Sequence, residues 1–193
     1  MGHDSADATA PDSPRIEPSH PSLGPIGGLT AEEFKLAFRN HAAGVAVITA
    51  DAGDGPVGLT ATSVFSVSAE PPLLIFSLSS SSSSAPTIRA ADTVIVHLLG
   101  ADQIALARLC ATSGIDRFAD RTIWDRLITG EPYFPSAHAW IRGRVVNRME
   151  AGASTVVAVH ALQAKLPVDA GDAPPLVYHN RAYHSLGDHS RLQ

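Results

Sequence analysis

The sequence lacks the features that would place a protein in a membrane, outside the cell or on nucleic acid. Cys110 is the only cysteine among 193 residues, which excludes an internal disulfide framework and is typical of a reducing compartment. No apolar run approaches the roughly 20 residues of a spanning helix, and no secretory signal is visible. The formal net charge of −5 gives no electrostatic reason to bind nucleic acid or an anionic membrane. We therefore expect a cytoplasmic protein without a membrane or nucleic-acid partner.

Several common catalytic and cofactor motifs are also missing. There is no G-x-x-x-x-G-K-[ST] loop, no G-x-G-x-x-G after a strand, no H-E-x-x-H and no C-x-x-C. The nine histidines do not have the spacing of metal ligands. His179, His184 and His189 follow one another at five-residue steps, which alternate between the two faces of a strand. The sequence therefore predicts no metal site and no Rossmann-type nucleotide site.

What is present suits one globular domain that follows a tail. The chain is 45% hydrophobic and 17% charged, which is enough apolar content for a core. Residues 1–28 hold five prolines and almost no large apolar side chain, so they cannot bury enough surface to offset their chain entropy. We expect a disordered tail over 1–28, with an arm that crosses to a partner subunit as the alternative. Residues 29–193 are expected to form the folded domain.

Hydrophobic patterning predicts a mostly β fold. Thr30 and Glu33 form a capping box at the start of one helix, and a second helix is expected between Asp102, as its N-cap, and Gly114. There is no alternating βαβ rhythm, which argues against a doubly wound sheet. We therefore expect a small closed barrel of mostly antiparallel strands with flanking helices. The predicted strands lie in AGVAVITA, VGLTATSVFSVS, PLLIFSL, DTVIVHLL, AHAWIRGRVVNRME, STVVAVHALQAKL and PLVYHNRAYHSL.

Two clusters of hydroxyl side chains are candidates for function. Six consecutive serines, Ser79 to Ser84, follow a predicted strand and precede a helix that should start at Ser84 or Ala85. The residues alone allow a flexible linker or a row of hydroxyls at a helix N-terminus, where an anion binds. In the second cluster, GLTATSVFSVS, Thr60 and Thr62 would point to one face of a strand. The β-propensity of such residues explains that pattern equally well.

Together and in this order, these segments resemble the flavin reductase-like family, the short-chain reductases that supply reduced flavin to two-component monooxygenases. The resemblance runs from about Phe34 to Leu186. It implies a split β-barrel, an antiparallel Greek-key-like barrel with flanking helices, that forms a homodimer and binds FMN, or FAD, near the subunit interface. It also implies an NAD(P)H:flavin oxidoreductase that uses NADH or NADPH and has a flavin-dependent monooxygenase as partner. The segments that carry it are FRNHAAGVAVITA, GLTATSVFSVSAEPPLLIFSLSSSSS, ARLCATSGIDRF, PYFPSAHAWIRGRV and LVYHNRAYHSL.

The resemblance also implies which residues contact the flavin. Four of them would line the ring and the ribityl chain, with two more nearby: Thr60, Ala61, Thr62 and Ser63, then Val67 and Ser68. Three serines would hold the phosphate, and two residues of the DRF segment would close over it: Ser79, Ser82 and Ser84, then Arg117 and Phe118. By this resemblance the serine run is a phosphate cradle rather than a linker.

The sequence departs from the family at one position near the expected nicotinamide site. Many members carry Gly-Asp-His where this chain has Gly152-Ala153-Ser154, so Ser154 replaces a histidine associated with the nicotinamide. Tyr183 and His184 match an aromatic–His pair that would contact the nicotinamide, and an edge-strand aromatic beside a solvated histidine is the alternative. No side chain is required as a nucleophile, because flavin itself accepts the hydride. Two other functions stay open: a flavoprotein that retains FMN for its own substrate, and a flavin-binding or partner-docking module with little turnover.

Overall fold

The structure is a computed structural model that describes residues 28–166 and 174–192. Apart from Gly28, the tail expected over residues 1–28 lies outside the described residues. The helices are α1 (Ala31–Arg39), α2 (Ala85–Ala90) and α3 (Ile104–Ala111). The strands are β1 (Ala43–Gly44), β2 (Ala46–Ala50), β3 (Val57–Ala61), β4 (Phe65–Ala69), β5 (Pro72–Ser79), β6 (Thr93–Leu98), β7 (Asp125–Arg126), β8 (Pro132–Tyr133), β9 (Ala139–Ala151), β10 (Ser154–Lys165), β11 (Leu176–His179) and β12 (Ala182–Ser185). In these ranges, no helix is long and apolar enough to cross a bilayer.

The first predicted helix start is confirmed and the second is wrong. At α1 the Thr30 hydroxyl accepts a hydrogen bond from the Glu33 N–H, while the Thr30 N–H donates to the Glu33 carboxylate. Asp102, by contrast, lies in a 3₁₀ turn, and α3 begins two residues later with Gln103 at its N-cap. The Gln103 side-chain oxygen accepts from the Gly100 N–H at 2.9 Å. Gln103 therefore takes the N-cap position of α3, a role that the sequence pattern predicted for Asp102.

The mostly β fold is confirmed, and its main sheet stays open. Seven antiparallel strands pair in the order β3-β2-β6-β9-β10-β5-β4, and β1, β11 and β12 form a smaller sheet. The hydrogen-bonded order ends at β3 and at β4, so the described strands form a split barrel rather than the fully closed one expected from strand patterning. Residues 62–64 connect these two edges, because β3 ends at Ala61 and β4 begins at Phe65.

This short connection, which we call the edge link (residues 62–64), interrupts the predicted strand VGLTATSVFSVS. The Ser63 hydroxyl accepts a hydrogen bond from the Ser77 N–H at 3.0 Å and donates to the Ser77 carbonyl at 3.3 Å. Ser63 thereby attaches the link to β5 instead of continuing β3. Thr62 lies beyond the end of β3, so the expectation that Thr60 and Thr62 share one strand face was wrong.

Two hydrophobic clusters stabilise the fold. The larger one fills the interior of the main sheet and includes the fully buried Phe76 and Leu78. The smaller one lies beneath α3 and contains Phe118, Trp124 and Phe134. Because successive side chains of a strand point to opposite faces, neighbouring positions of β2 contribute to both clusters. The clusters therefore cover the two faces of the central strands.

The last predicted strand, PLVYHNRAYHSL, is in fact a hairpin. β11 and β12 pair with each other through a two-residue turn, in which Asn180 has φ 46° and Arg181 has φ 64°. Consecutive positive φ angles characterise the type I′ turn, whose twist suits a tight hairpin, and asparagine tolerates this conformation well. The HNR segment contains no glycine, the residue that usually marks such a turn. The alternation pattern therefore predicted one continuous strand.

Gly143 allows β9 and β10 to approach each other closely. A Cβ atom at this position would lie 2.2 Å from Val159 Cγ1 and 2.9 Å from the His160 carbonyl oxygen. We expect Gly143→Ala to lower the free energy of unfolding by about 1–3 kcal/mol, the usual effect of overpacking, as measured by urea denaturation. Gly44→Ala is the matched control, because nothing lies within 4 Å of its built Cβ atom. Equal unfolding free energies for the Gly143 variant and the wild type would contradict the close approach.

Candidate flavin site

Most of the residues that are predicted to contact the flavin lie along the outer edge of β3. Among the described strands β3 pairs with β2 alone, so its other edge presents backbone N–H and C=O groups. At one end of this edge, the Ser84 hydroxyl donates to the Gly58 carbonyl at 2.8 Å. Two residues on, the Thr60 hydroxyl donates to the Ala107 carbonyl of α3 at 2.6 Å. The edge link follows at the other end, about 13 Å from Gly58 at the usual rise per strand residue.

The serine run is an ordered turn between β5 and α2. The Ser80 N–H and hydroxyl both donate to the Ala153 carbonyl, at 3.0 and 2.9 Å. The Ser82 N–H donates to the Ser79 carbonyl, and the Ala85 N–H donates to the Ser82 carbonyl. The predicted start of α2 at Ala85 is confirmed. Because the N–H groups of Ser80, Ser81, Ser82 and Ser84 already donate to other groups of the protein, an anion here would be held mainly by side chains.

Arg117 supplies the positive charge beside this turn. Its Nη1 donates to the Ser84 hydroxyl at 3.1 Å and to the Ser83 hydroxyl at 3.4 Å. Its Nε and Nη2 donate to the Thr112 carbonyl at 3.1 and 2.8 Å, which fixes the plane of the guanidinium. A guanidinium has five N–H donors, and the four hydrogen bonds above leave one of them for a ligand. Gly58, Ser83, Ser84 and Arg117 border a small pocket of about 140 Å³.

The three serines expected to hold the phosphate have different environments. Ser84 is only 1% exposed, and its hydroxyl is occupied by Gly58 and Arg117, so it positions Arg117. Ser82 is half-buried, and its hydroxyl accepts from the Ser84 N–H at 3.3 Å. The exposed Ser79 hydroxyl lies 2.9 Å from the Ser81 hydroxyl. Ser83, the exposed serine beside Arg117, was missed, because six identical residues carry no signal of which one faces the arginine.

Phe118 belongs to the smaller hydrophobic cluster. Its ring is 5% exposed, stacks on Phe134 at a centroid distance of 5.5 Å and meets the edge of Trp124 at 5.1 Å. The Trp124 indole N–H donates to the Phe118 carbonyl at 2.8 Å. A buried ring cannot close over a phosphate in this arrangement. Phe118 instead anchors the loop that carries Arg117.

The other residues expected near the flavin ring lie along the two edge strands. Ala61 is buried in the larger cluster, so only its backbone is available to a ligand. Val67 is 55% exposed and lies at an irregularity in the β4–β5 pairing, between Ser66 and Ser68. Ser68 is half-buried and pairs with Leu73. The edge link and β4 therefore offer backbone and small side chains rather than charged groups.

The structure separates the residues expected on the nicotinamide side. Ser154 pairs with Ser79 at the start of β10, so it lies beside the serine run. Tyr183 and His184 lie on β12 in the smaller sheet. Burial, and next the neighbouring Tyr178, raise the pKa of Tyr183, whose ring centroid lies 5.2 Å from that of Tyr178. His184 is exposed, with Nε2 3.2 Å from the His179 carbonyl oxygen.

A larger pocket opens beside the edge link and had no counterpart in the sequence prediction. Its volume is about 580 Å³, and Thr62 and Ser63 form one wall. α1 and the β11–β12 turn form the opposite walls. The pocket joins the main sheet to the smaller one, which are far apart in the chain. Residue patterning along single elements could not have revealed it.

Nucleophilic chemistry and metal binding have no support among the described residues. Cys110 is 1% exposed, and burial raises the pKa of its thiol to about 12, so the reactive thiolate is not available at neutral pH. In residues 28–166 and 174–192, no three His, Cys, Asp or Glu side chains are grouped as a metal site requires.

An open split barrel with an arginine held over a serine turn is the arrangement expected of a flavin reductase. The family model for the flavin reductase like domain matches residues 38–187. An NADH:FMN oxidoreductase of Rhodococcus erythropolis is 41% identical over 181 residues, which cover 91% of each chain. A reductase component of a 4-nitrophenol 4-monooxygenase/4-nitrocatechol 2-monooxygenase from Rhodococcus opacus is 31% identical, over 78% of each chain. The crystal structure of a flavin reductase domain protein from an Arthrobacter species has a TM-score of 0.75 and 36% identity, covering 81% of this chain and 95% of that one.

This chain therefore belongs to the flavin reductase-like family, as its sequence resemblance predicted. Its class of activity is that of an NAD(P)H-dependent flavin reductase.

Proposed function

We propose that the protein binds FMN along the outer edge of β3 and uses NADH to reduce it. The relative from Rhodococcus erythropolis is named for this pair of substrates. The alignment covers most of both chains, which supports proposing the same substrates for this protein. FAD and NADPH are the alternative flavin and hydride donor. The observation that carries the proposal is the Arg117 guanidinium, which contacts the Ser83 and Ser84 hydroxyls beside a free strand edge.

The residues fit the chemistry of a flavin phosphate. Arg117 would bind the phosphate together with the hydroxyls of Ser82 and Ser83, because a guanidinium and hydroxyl donors suit phosphate oxygens. Ser84 and Thr112 would hold Arg117 in place through the hydrogen bonds described above. The span of about 13 Å between Gly58 and the edge link leaves room for the ribityl chain between the phosphate and the ring.

At the ring end, the chain would act mainly through its backbone. Bound FMN would supply the redox chemistry, because its ring accepts a hydride from reduced nicotinamide. The N–H and C=O groups from Thr60 to Ser63 would bind and orient the ring, with Val67 and Ser68 beside it. No protein acid or base has to move a proton for hydride transfer itself.

Ser154 lies where many family members have a histidine, and it is the residue of the expected nicotinamide group nearest the serine run. We place the nicotinamide between this residue and the edge link, apart from Tyr183 and His184 on the smaller sheet. A serine hydroxyl can donate one hydrogen bond to a nicotinamide amide but provides no ring to stack on it. Weaker nicotinamide binding than in relatives with histidine follows from this difference.

Mixing the purified protein with NADH and FMN tests the proposed function and separates it from its two rivals. NADH oxidation that rises with added free FMN, followed by the loss of absorbance at 340 nm, would support a reductase with diffusible flavin. Slow oxidation by a yellow protein that retains its flavin on dialysis would indicate a flavoprotein with its own substrate. Flavin binding without NADH oxidation would indicate a binding or docking module and contradict the proposal.

A homodimer is the second part of the proposal. Large apolar side chains on β4 and β9 are more than half exposed in the single chain: Val67 at 55%, Val146 at 52% and Met149 at 59%. Exposed apolar side chains of this size favour association, and a second subunit would also cover the ring end of the site. Light scattering at micromolar concentration with FMN present should give twice the chain mass of 20.2 kDa. A mass of one chain would contradict the dimer.

The reductase relative from Rhodococcus opacus supports the remaining part of the proposal, a monooxygenase that receives the reduced flavin. We expect the partner enzyme to be served by diffusion of the flavin, which a coupled assay with the two proteins separated by a dialysis membrane would detect.

A further inference from the structure

A second pocket lies at the phosphate end of the candidate flavin site. The small pocket that Ser84 and Arg117 border shares part of its wall with a cavity of about 380 Å³, which we call the outer pocket. The residues that line both are Pro56, Val57, Asp116 and Phe118. Because the outer pocket is reached along the residues that precede Gly58, it lies on the side of the phosphate end that faces away from the edge link.

This position makes the outer pocket the place where a longer flavin would continue. FMN ends at its phosphate, whereas FAD extends from that phosphate through a second phosphate to adenosine. The volume of the outer pocket falls within the usual range for small-molecule sites, so its size alone does not exclude the additional part of FAD. The side chains of its wall therefore decide whether FAD is accepted.

Asp54 is a fixed part of that wall. Its carboxylate accepts a hydrogen bond from the Thr87 hydroxyl at 3.1 Å, so this hydroxyl is already used. The turn that carries Asp54 is held by the Asp51 carboxylate, which accepts from the Gly53 and Gly55 N–H groups at 2.8 and 3.1 Å. Asp54 lines the outer pocket but not the small pocket beside it. Its negative charge is therefore placed beyond the position proposed for the FMN phosphate.

The rest of the wall offers little to a second phosphate or to adenine. Among the described residues, the other charged side chains of the outer pocket are Asp116 and Arg121, which leaves two carboxylates against one guanidinium. The Arg121 guanidinium carbon lies 4.5 Å from the centroid of the Trp124 ring, which it covers. Phe118 and Trp124, the aromatic side chains of the wall, are 5% and 6% exposed, so neither presents a ring face on which adenine could stack.

We propose that Asp54 makes the protein prefer FMN to FAD, because its carboxylate repels the second phosphate of FAD. Like charges at short range raise the free energy of binding. Asp116 lines both pockets and acts on both flavins, whereas Asp54 lines the outer pocket alone and acts on FAD. Asp54 is thus a specificity-determining residue. This inference rests on the proposed function, because it takes the flavin phosphate to lie beside Arg117.

Isothermal titration calorimetry with FMN and with FAD tests the inference. Asp54→Asn keeps the size of the side chain and an acceptor for the Thr87 hydroxyl, and it removes the charge. FAD should bind about 3- to 10-fold more tightly to this variant than to the wild type, while FMN binding stays nearly unchanged. Asp54→Lys should tighten FAD binding further. Asp92→Asn is the matched control, because Asp92 is exposed, follows the other end of α2 and lines neither pocket.

Salt gives a second readout, because ions screen the repulsion between exposed charges. The preference of the wild type for FMN over FAD should decrease when sodium chloride is raised from about 20 to about 500 mM. A wild type that binds FAD as tightly as FMN, or an Asp54→Asn variant with the same ratio of the two affinities as the wild type, would overturn the inference. Equal changes in both affinities would do so as well, since they would show that Asp54 acts through the fold. A wild type that prefers FMN through Asp54 but does not oxidise NADH with FMN would overturn the proposed function and leave this inference standing.

Discussion

Replacing Arg117 by glutamine should weaken FMN binding by about 10- to 100-fold and leave riboflavin binding nearly unchanged. Hydrogen bonds to a charged group are worth about 1.5–3 kcal/mol, and each 1.4 kcal/mol corresponds to a tenfold change in affinity. Riboflavin has the same ring as FMN but no phosphate, so it does not use the arginine. The difference between the two ligands therefore isolates the contact between the arginine and the phosphate.

Thermal melting with each ligand measures this effect. A ligand at 100 times its dissociation constant stabilises the fold by about 2.7 kcal/mol, which for a domain of this size raises the melting temperature by about 5–10 °C. In the Arg117→Gln variant the FMN shift should fall toward the riboflavin shift. Arg144→Gln, at an exposed position on β9, is the matched control and should keep the full FMN shift. Equal shifts for FMN and riboflavin in the wild type would show that Arg117 and the serine run do not bind the phosphate.

The second large effect is expected at His97, which is fully buried between the two hydrophobic clusters. Its Nδ1 lies 2.9 Å from the Val47 carbonyl oxygen, and its Nε2 accepts a hydrogen bond from the Phe134 N–H at 3.0 Å. His97→Leu would leave the buried Phe134 N–H without its hydrogen bond to the imidazole, whereas the Val47 carbonyl lies in a strand that is paired on both sides. Because an unsatisfied buried group costs about 1–3 kcal/mol, we expect a loss of about 1–3 kcal/mol in the free energy of unfolding, measured with urea. His189→Leu, at an exposed histidine, should change it by less than about 0.5 kcal/mol.

His97 should also make the stability depend on pH. Burial lowers the pKa of His97 to about 4 from its ordinary value of 6.5, so the unfolded chain binds more protons than the folded one between these values. The contribution of His97 to the free energy of unfolding should therefore be fully present above pH 6.5. It should decrease by about 1.4 kcal/mol per pH unit as the pH is lowered toward 4. In the His97→Gln variant, urea denaturation at pH 5 and pH 7 should show a smaller difference than in the wild type. An equal difference in both proteins would assign the acid sensitivity to other groups.

Patterning along single elements predicted much of the fold. The capping box at Thr30 and the long strands β9 and β10 follow local rules of helix capping and strand alternation, and the structure has them where they were expected. Asp102 and the β11–β12 turn were predicted wrongly. The hydrogen bonds that Gln103 accepts from Gly100 and His138, and the positive φ angles of Asn180 and Arg181, depend on partners or backbone states that residue type alone does not specify.

The candidate site, like the fold, was predicted only in part from the sequence. The resemblance drew attention to Arg117 and to the serine run, and the structure brings them into contact. It could not show that Ser84 is buried, that Phe118 is part of a hydrophobic cluster, or that Ser83 is the exposed hydroxyl beside the guanidinium. Burial and side-chain direction are set by packing between β3, α2 and α3, which are distant in the chain. Those are the properties that decide which residue of a motif can contact a ligand.

The edge link has a consequence for how the molecule assembles. β3 joins the sheet through β2 and β6, whereas β4 joins it through β5 and β10, so the link between them reaches its final shape only after both halves of the sheet have met. Local hairpins can form early, but the pairing of β6 with β9 and of β5 with β10 closes long loops, which slows folding. We therefore expect the proposed flavin site to be among the last parts of the chain to form during folding. On this expectation, a newly made chain acquires its affinity for flavin late, together with its complete tertiary structure.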